Sequence, residues 1–222
     1  MLLKLVKKVN ESKDTKSFFF NKPDGFNFQA GQYLYLTLDG ITKQFTIASS
    51  PTEKLIQITT RIRKESEFKQ MLNSLEIGSE IEARAPFGLF TIDLVNYSSN
   101  HLFLAGGIGI TPFRSMIKYN IDMKLNVPMN LIYSQSGTDF VFKKELDKWQ
   151  EENNNLKIEY HNSSVSDHLD SSKLSSLLTV YSLKYIAVWA VGPPPFVNAM
   201  EDALDELKIP PENIRTEKFI GY

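Results

Sequence analysis

The feature that most constrains this chain is a change of rhythm near residue 97. Before it, short apolar or alternating runs recur every ten residues or so: Leu2–Val9, Ser17–Phe20, Gln32–Leu38, Gln44–Ala48, Leu55–Arg63 and Glu80–Ala85. Turn-forming clusters separate them, among them Asn21-Lys22-Pro23-Asp24-Gly25, Asp39-Gly40 and Ala85-Pro86-Phe87-Gly88. Many short strands at this spacing predict an antiparallel β-barrel or a sandwich. Phe68, Met71, Leu72 and Leu75 have helical spacing and predict one helix between two strands. After Asn96-Tyr97-Ser98-Ser99-Asn100, strands alternate with helices: strands at 101–104, 129–133, 156–160 and 186–191, helices at about 110–119, 143–151 and 196–207. That alternation predicts a doubly wound α/β parallel sheet, Rossmann-like in kind. The expected division is a barrel over 1–97 and an α/β domain over 98–222, with the Ser-rich stretch 162–176 as a loop carrying a short helix.

Composition narrows the function. The net charge of -1 does not suggest a nucleic-acid footprint. The chain has no cysteine, which excludes a disulfide, a thiolate zinc site or a cysteine-held iron–sulfur cluster within it. His101, His161 and His168 have no metal-ligand spacing. Lys4 interrupts the N-terminal apolar run, so no signal peptide is expected, and no run reaches the ~20 residues of a membrane span. The expected location is the cytoplasm.

Three segments carry chemistry. Leu102–Leu104 runs into Ala105-Gly106-Gly107-Ile108-Gly109-Ile110-Thr111-Pro112, a strand, a glycine turn and a helix start. Such a turn brings backbone N–H groups close to a phosphate, and the helix N-terminus adds partial positive charge. It lacks the third glycine of the simple G-x-G-x-x-G fingerprint. Val191-Gly192-Pro193-Pro194-Pro195-Phe196 makes a second strand-to-helix turn at the carboxyl edge of the sheet, where open α/β sheets bind ligands. Lys43-Gln44-Phe45-Thr46-Ile47-Ala48-Ser49-Ser50-Pro51 is a strand with Lys43, Phe45 and Ile47 on one face and Gln44, Thr46 and Ala48 on the other.

With Gly31-Gln32-Tyr33, Ala85–Phe90 and the ending Glu217-Lys218-Phe219-Ile220-Gly221-Tyr222, these segments resemble the ferredoxin-NADP reductase superfamily over essentially the whole chain. The resemblance implies an FAD-dependent NAD(P)H oxidoreductase that passes a hydride from nicotinamide C4 to flavin N5 and then electrons to a separate acceptor. That acceptor would be a ferredoxin, a flavodoxin, a partner enzyme or a small molecule. The alternatives are a free-flavin reductase and a low-turnover electron-transfer or regulatory subunit. It also implies site roles. Thr46 matches the hydroxyl that hydrogen-bonds flavin N5, Phe45 an aromatic packed on the flavin, and Lys43 a cation on the FAD phosphates. Ile47 and Ser49 continue that segment. Arg61, Arg63, Ser66, Phe68 and Lys69 fall in the stretch around the pyrophosphate. Gly106, Gly107, Gly109, Thr111 and Pro112, with Gly192, Pro193 and Pro194, match the dinucleotide loops. Glu217 matches a carboxylate near the nicotinamide, and Phe219, or Tyr222, the terminal aromatic over the flavin.

The chain departs from the family pattern at four points. Lys43 replaces an arginine, Phe45 a tyrosine and Glu65-Ser66 a glycine pair, and Val191 stands where the family has cysteine. Ser134–Asp139, where cations for a 2′-phosphate would be expected, has no Lys or Arg, which favours NADH over NADPH. Arg114 is the nearest cation that would supply one, or else a solvated helix residue. Lys4, Lys7 and Lys8 are candidates for docking an acidic carrier.

Overall fold

The computed structural model describes residues 1–92, 100–165, 169–178 and 186–220. The expected boundary at 97/98, His168 and Tyr222 lie outside the described residues. Contacts divide the chain into two compact units. The first joins Met1–Ile92 to Thr111–Met123, and the second takes in 93–110 and 124–221. The first helix after the glycine turn thus groups with the barrel residues, which local sequence does not reveal.

In the first unit the described strands are β1 (Leu2–Asn10), β2 (Thr15–Asn21), β3 (Tyr33–Leu38), β4 (Ile41–Thr46), β5 (Leu55–Arg61) and β6 (Glu80–Phe87). They form a six-stranded sheet in the order β4-β3-β6-β1-β2-β5, with antiparallel pairing throughout. Ala48 N donates to Gln57 O at 2.7 Å, so the chain leaving β4 meets β5 and the sheet's outer strands approach each other. Alternation decides the core. Leu3, Leu5, Phe18, Phe20, Leu34, Leu36, Ile56, Ile58 and Ile81 turn inward and are buried, while Lys4, Tyr35 and Glu82 turn outward. Helix α1 (Glu67–Ser74) lays Phe68 and Leu72 into this core. Ser66 caps its start, its Oγ accepting from Lys69 N. Lys8 Nζ reaches its other end and donates to Asn73 O (3.0 Å) and Leu75 O (2.6 Å), placing a cation on the negative end of the helix. Lys8 is thus occupied by the fold.

The second unit is built on β7 (Asn100–Gly106), β8 (Met129–Gln135), β9 (Leu156–Asn162), β10 (Ile186–Gly192) and β11 (Ile214–Lys218). They form a parallel sheet in the order β11-β10-β7-β8-β9. β8 is buried along its whole length and β7 from His101 on, as expected for parallel strands covered on both faces. Helix α5 (Pro194–Glu206) contributes Met200, Ala203 and Leu204 to a core with Leu102, Leu104, Val188 and Ala190. Its start is two residues earlier than the spacing predicts, because Pro194 and Pro195 fit the first helical turn. Helix α3 (Lys143–Glu152) packs on β9, and α4 (Ser171–Leu178) is the short helix expected in the Ser-rich stretch. Strand β11 is not among the strands that the sequence predicts, and it adds a parallel edge strand beside β10. No helix among the described residues is long and apolar enough to cross a membrane.

Candidate functional site

In the second unit, β7 has β8 on one side and β10 on the other. The strand order reverses there, and such a switch point leaves an open crevice at the carboxyl ends of the strands. Both glycine turns lie at this edge. Gly106 ends β7, Gly107–Gly109 form a single 3₁₀ turn, and helix α2 (Ile110–Asp122) follows directly, with Thr111 and Pro112 buried in its first turn. Gly192 ends β10 and Pro193 leads into α5.

The glycines serve the packing of the turns as much as any ligand. A Cβ on Gly109 would lie 2.2 Å from Val191 O, one on Gly106 2.6 Å from the Phe196 ring, and one on Gly192 2.8 Å from the same ring. Gly107 alone of the three in the first turn needs a left-handed backbone, with φ of 54°. The turns therefore nest against each other because side chains are missing.

Glu217 sits at the same edge. In β11 it lies in register with Val191 of β10, and Phe219 N then donates to Gly192 O at 2.8 Å. Burial raises the Glu217 carboxyl to about 6. Val191 is fully buried. Phe219 is half-buried just past the end of this strand.

In the first unit, Thr46 ends β4, paired with Tyr33 of β3 and half-buried. Phe45 turns inward and packs against Phe68, itself core, with ring centroids 5.5 Å apart and planes tilted by 31°. Ile47 and Phe68 are 0% and 1% exposed, so both serve the barrel core and shape the site from beneath. Lys43, Arg63 and Lys69 crowd together. Lys69 is pulled below its ordinary value first by burial and then by the positive charges of Arg63 and Lys43. Three neighbouring cations next to the capped start of α1 suit a ligand carrying several negative charges. Arg61 lies 4.0 Å from Asp14 on the flank of this group.

Two expected site residues are spent on the interior. Ser49 Oγ accepts from Gln57 N at 3.0 Å, and its carbonyl accepts from Ser115 Oγ at 2.6 Å. Arg114 is 4% exposed and grips Glu53 with two donors, so it is neither a solvated helix residue nor a cation available to a 2′-phosphate. Sequence gives no sign of this, since the partners are 61 residues apart. Among the described residues no group of His, Asp and Glu is arranged to hold a metal. His101 and His161 are both buried side chains of the sheet.

The chain matches two family models, an oxidoreductase FAD-binding domain over residues 2–92 and an oxidoreductase NAD-binding domain over residues 103–202. It is 26% identical over 236 residues to flavohemoprotein A of Dictyostelium discoideum, covering 96% of this chain and 58% of that protein. It is 33% identical over 156 residues to a glycine betaine monooxygenase reductase subunit of Pseudomonas aeruginosa, covering 66% of this chain and 42% of that protein. The chain thus spans about half the length of these relatives. A ferredoxin NADP+ reductase of Neisseria gonorrhoeae, solved with bound FAD and NADP, has the same fold, with a TM-score of 0.83, 16% identity and 98% of each chain covered. A curled antiparallel sheet with a cation cluster, a parallel sheet with two glycine turns at its switch point, and the two matched models in that order agree: the chain belongs to the ferredoxin-NADP reductase-like superfamily.

Proposed function

We propose that this chain is an NAD(P)H-dependent reductase that holds FAD on its barrel unit and serves a separate electron acceptor. Two sites, one on each unit, carry the reading. One is a cation cluster of Lys43, Arg63 and Lys69 around a capped helix start, and the other is a glycine-lined switch-point edge that ends in a carboxyl raised by burial. FAD, when bound, supplies the redox chemistry, taking a hydride equivalent from reduced nicotinamide and releasing electrons to the acceptor. The residues do the rest. Lys43, Arg63 and Lys69, with Arg61, neutralise the pyrophosphate, and Ser66 caps the helix start that faces it. Thr46 offers its hydroxyl to the flavin N5 position. The backbone of Gly106–Gly109 and of Gly192–Pro194 receives the dinucleotide, and Thr111 and Pro112 shape that loop. Glu217 holds or releases a proton beside the nicotinamide, and Phe219 serves as the aromatic cover.

Two observations favour NADH. Ser134–Asp139 carries no cation, and its loop is tied to its neighbours by Ser136 Oγ with Ser164 Oγ (2.7 Å), Gly137 N to Asn162 Oδ1 (2.9 Å) and Gln135 Nε2 to Asp139 O (2.6 Å). Arg114 is committed to Glu53. A separate acceptor is supported by the relative that is named a reductase subunit. The test is an anaerobic absorbance titration of the FAD-loaded protein with NADH and then NADPH. Rapid bleaching of the flavin band by NADH is expected. Bound FAD that neither nucleotide bleaches would overturn the reductase reading.

A further inference from the structure

The segment after β4 is held from both sides. Ile47, Ala48, Ser49 and Ser50 are at most 1% exposed. Ile47 N donates to Gln32 O (2.9 Å) and Ala48 N to Gln57 O (2.7 Å), which anchors the segment to the barrel. Its carbonyls face α2. Arg114 Nη1 donates to Ala48 O at 2.9 Å, and Ser115 Oγ to Ser49 O at 2.6 Å. Glu53 completes the clamp. Its Oε2 accepts from Arg114 Nη1 (2.8 Å) and from Ser50 N (2.6 Å), and its Oε1 accepts from Arg114 Nη2 (3.2 Å). Thr52 Oγ1 donates to Asp122 Oδ2 at 2.5 Å, near the end of the same helix.

An ion pair in this position needs a reason. Taking a guanidinium out of water is costly, and a well-packed apolar pair of similar volume stabilises a fold as well or better. What arginine adds is geometry. Its planar fork, fixed by two bonds to one carboxylate, leaves a donor aimed in a set direction. Here that donor meets the carbonyl of Ala48, two residues beyond Thr46.

We propose that Arg114 is a positioning residue, which through Glu53 and the Ala48 carbonyl holds Thr46–Ser50 in the shape that receives the flavin, and so sets FAD affinity and the asymmetry of the bound ring. The inference rests on the FAD-binding reading above. It gives Arg114 a role on the flavin side in place of a role in nucleotide choice.

The experiment uses the full chain, freed of FAD and reloaded, as wild type, Arg114→Lys, Arg114→Met and Glu53→Gln. Three quantities are read: the FAD dissociation constant from quenching of flavin fluorescence, the visible circular dichroism of the bound flavin, and the melting temperature of the FAD-free protein. Lysine keeps the charge and loses the fork, so Arg114→Lys is expected to weaken FAD binding about tenfold and to change the flavin dichroism, while the FAD-free protein melts close to wild type. Glu53→Gln is expected to weaken binding at least about threefold, and Arg114→Met to weaken it more than either. Should Arg114→Met fail to fold, the other two variants decide. Wild-type FAD affinity and dichroism in Arg114→Lys and Glu53→Gln would overturn the inference, whatever their melting temperatures, and leave the flavoprotein reading standing. A wild-type protein that takes up no FAD would overturn that reading and the inference with it.

Discussion

Trp189 Nε1 donates to His101 Nδ1 at 3.1 Å, joining the interiors of β10 and β7 through two buried side chains. Burial holds the His101 imidazole down at about 4 against an ordinary value of 6.5. The unfolded chain therefore binds a proton that the folded chain refuses throughout that interval. The contribution of His101 to stability is full above pH 6.5 and is lost as pH falls towards 4, at about 1.4 kcal/mol per unit of pKa difference and about 3 kcal/mol in all. Urea unfolding at pH 7 and pH 5 should show this loss, and His101→Gln should flatten the slope between them.

Glu217 works in the opposite sense. Its carboxyl is raised from 4.5 to about 6 by burial, so the folded chain keeps a proton that the unfolded chain gives up. Its favourable contribution is complete below pH 4.5 and disappears as pH rises through 6. The pH profile of flavin reduction by NADH should bend near 6, and Glu217→Gln should remove the bend. A bend that survives the substitution belongs to another group.

Gly109 and Gly137 should respond differently to alanine. At Gly109 the new Cβ would meet the Val191 carbonyl at 2.2 Å, a backbone atom that cannot swing aside. Gly109→Ala should cost about 3 kcal/mol and displace the turn, weakening nucleotide binding. At Gly137 φ is 92° but nothing lies within 4 Å, so the cost is backbone strain alone, about 1 kcal/mol. Chemical denaturation of the two variants compares them directly.

Lys69 is held near Arg63 and Lys43, and a polyanionic ligand relieves their repulsion. Lys69→Met should weaken FAD binding about tenfold at low salt, and less as salt screens the remaining charges. The same substitution should leave the FAD-free fold as stable as before or more so, since it removes a partly buried cation from its like-charged neighbours. Isothermal titration at two ionic strengths, beside a thermal melt, reads both effects.

The sequence by itself determined the two architectures and their order. Inward Leu3, Leu5, Leu34 and Leu36 alternate with outward residues, and the apolar stretch Leu131–Tyr133 of β8 fits a doubly covered strand. Alternation and apolar runs are local properties, so they can be read one segment at a time. Gly106–Gly109 and Gly192–Pro194 are legible for the same reason, as is the cap that Ser66 places on α1.

Tertiary structure decided what each side chain is for. Arg114 looks like a surface cation until Glu53 and Ala48 are brought to it from 61 and 66 positions away. Lys8 looks like part of a docking patch until Leu75 O, 67 residues on, takes its ammonium. Glu217 becomes a half-buried acid only because β11 pairs with β10, a register that five residues with no strong alternation do not announce. Partners this distant along the chain are chosen by how the layers pack, and a burial-driven shift in proton affinity exists only once they have packed.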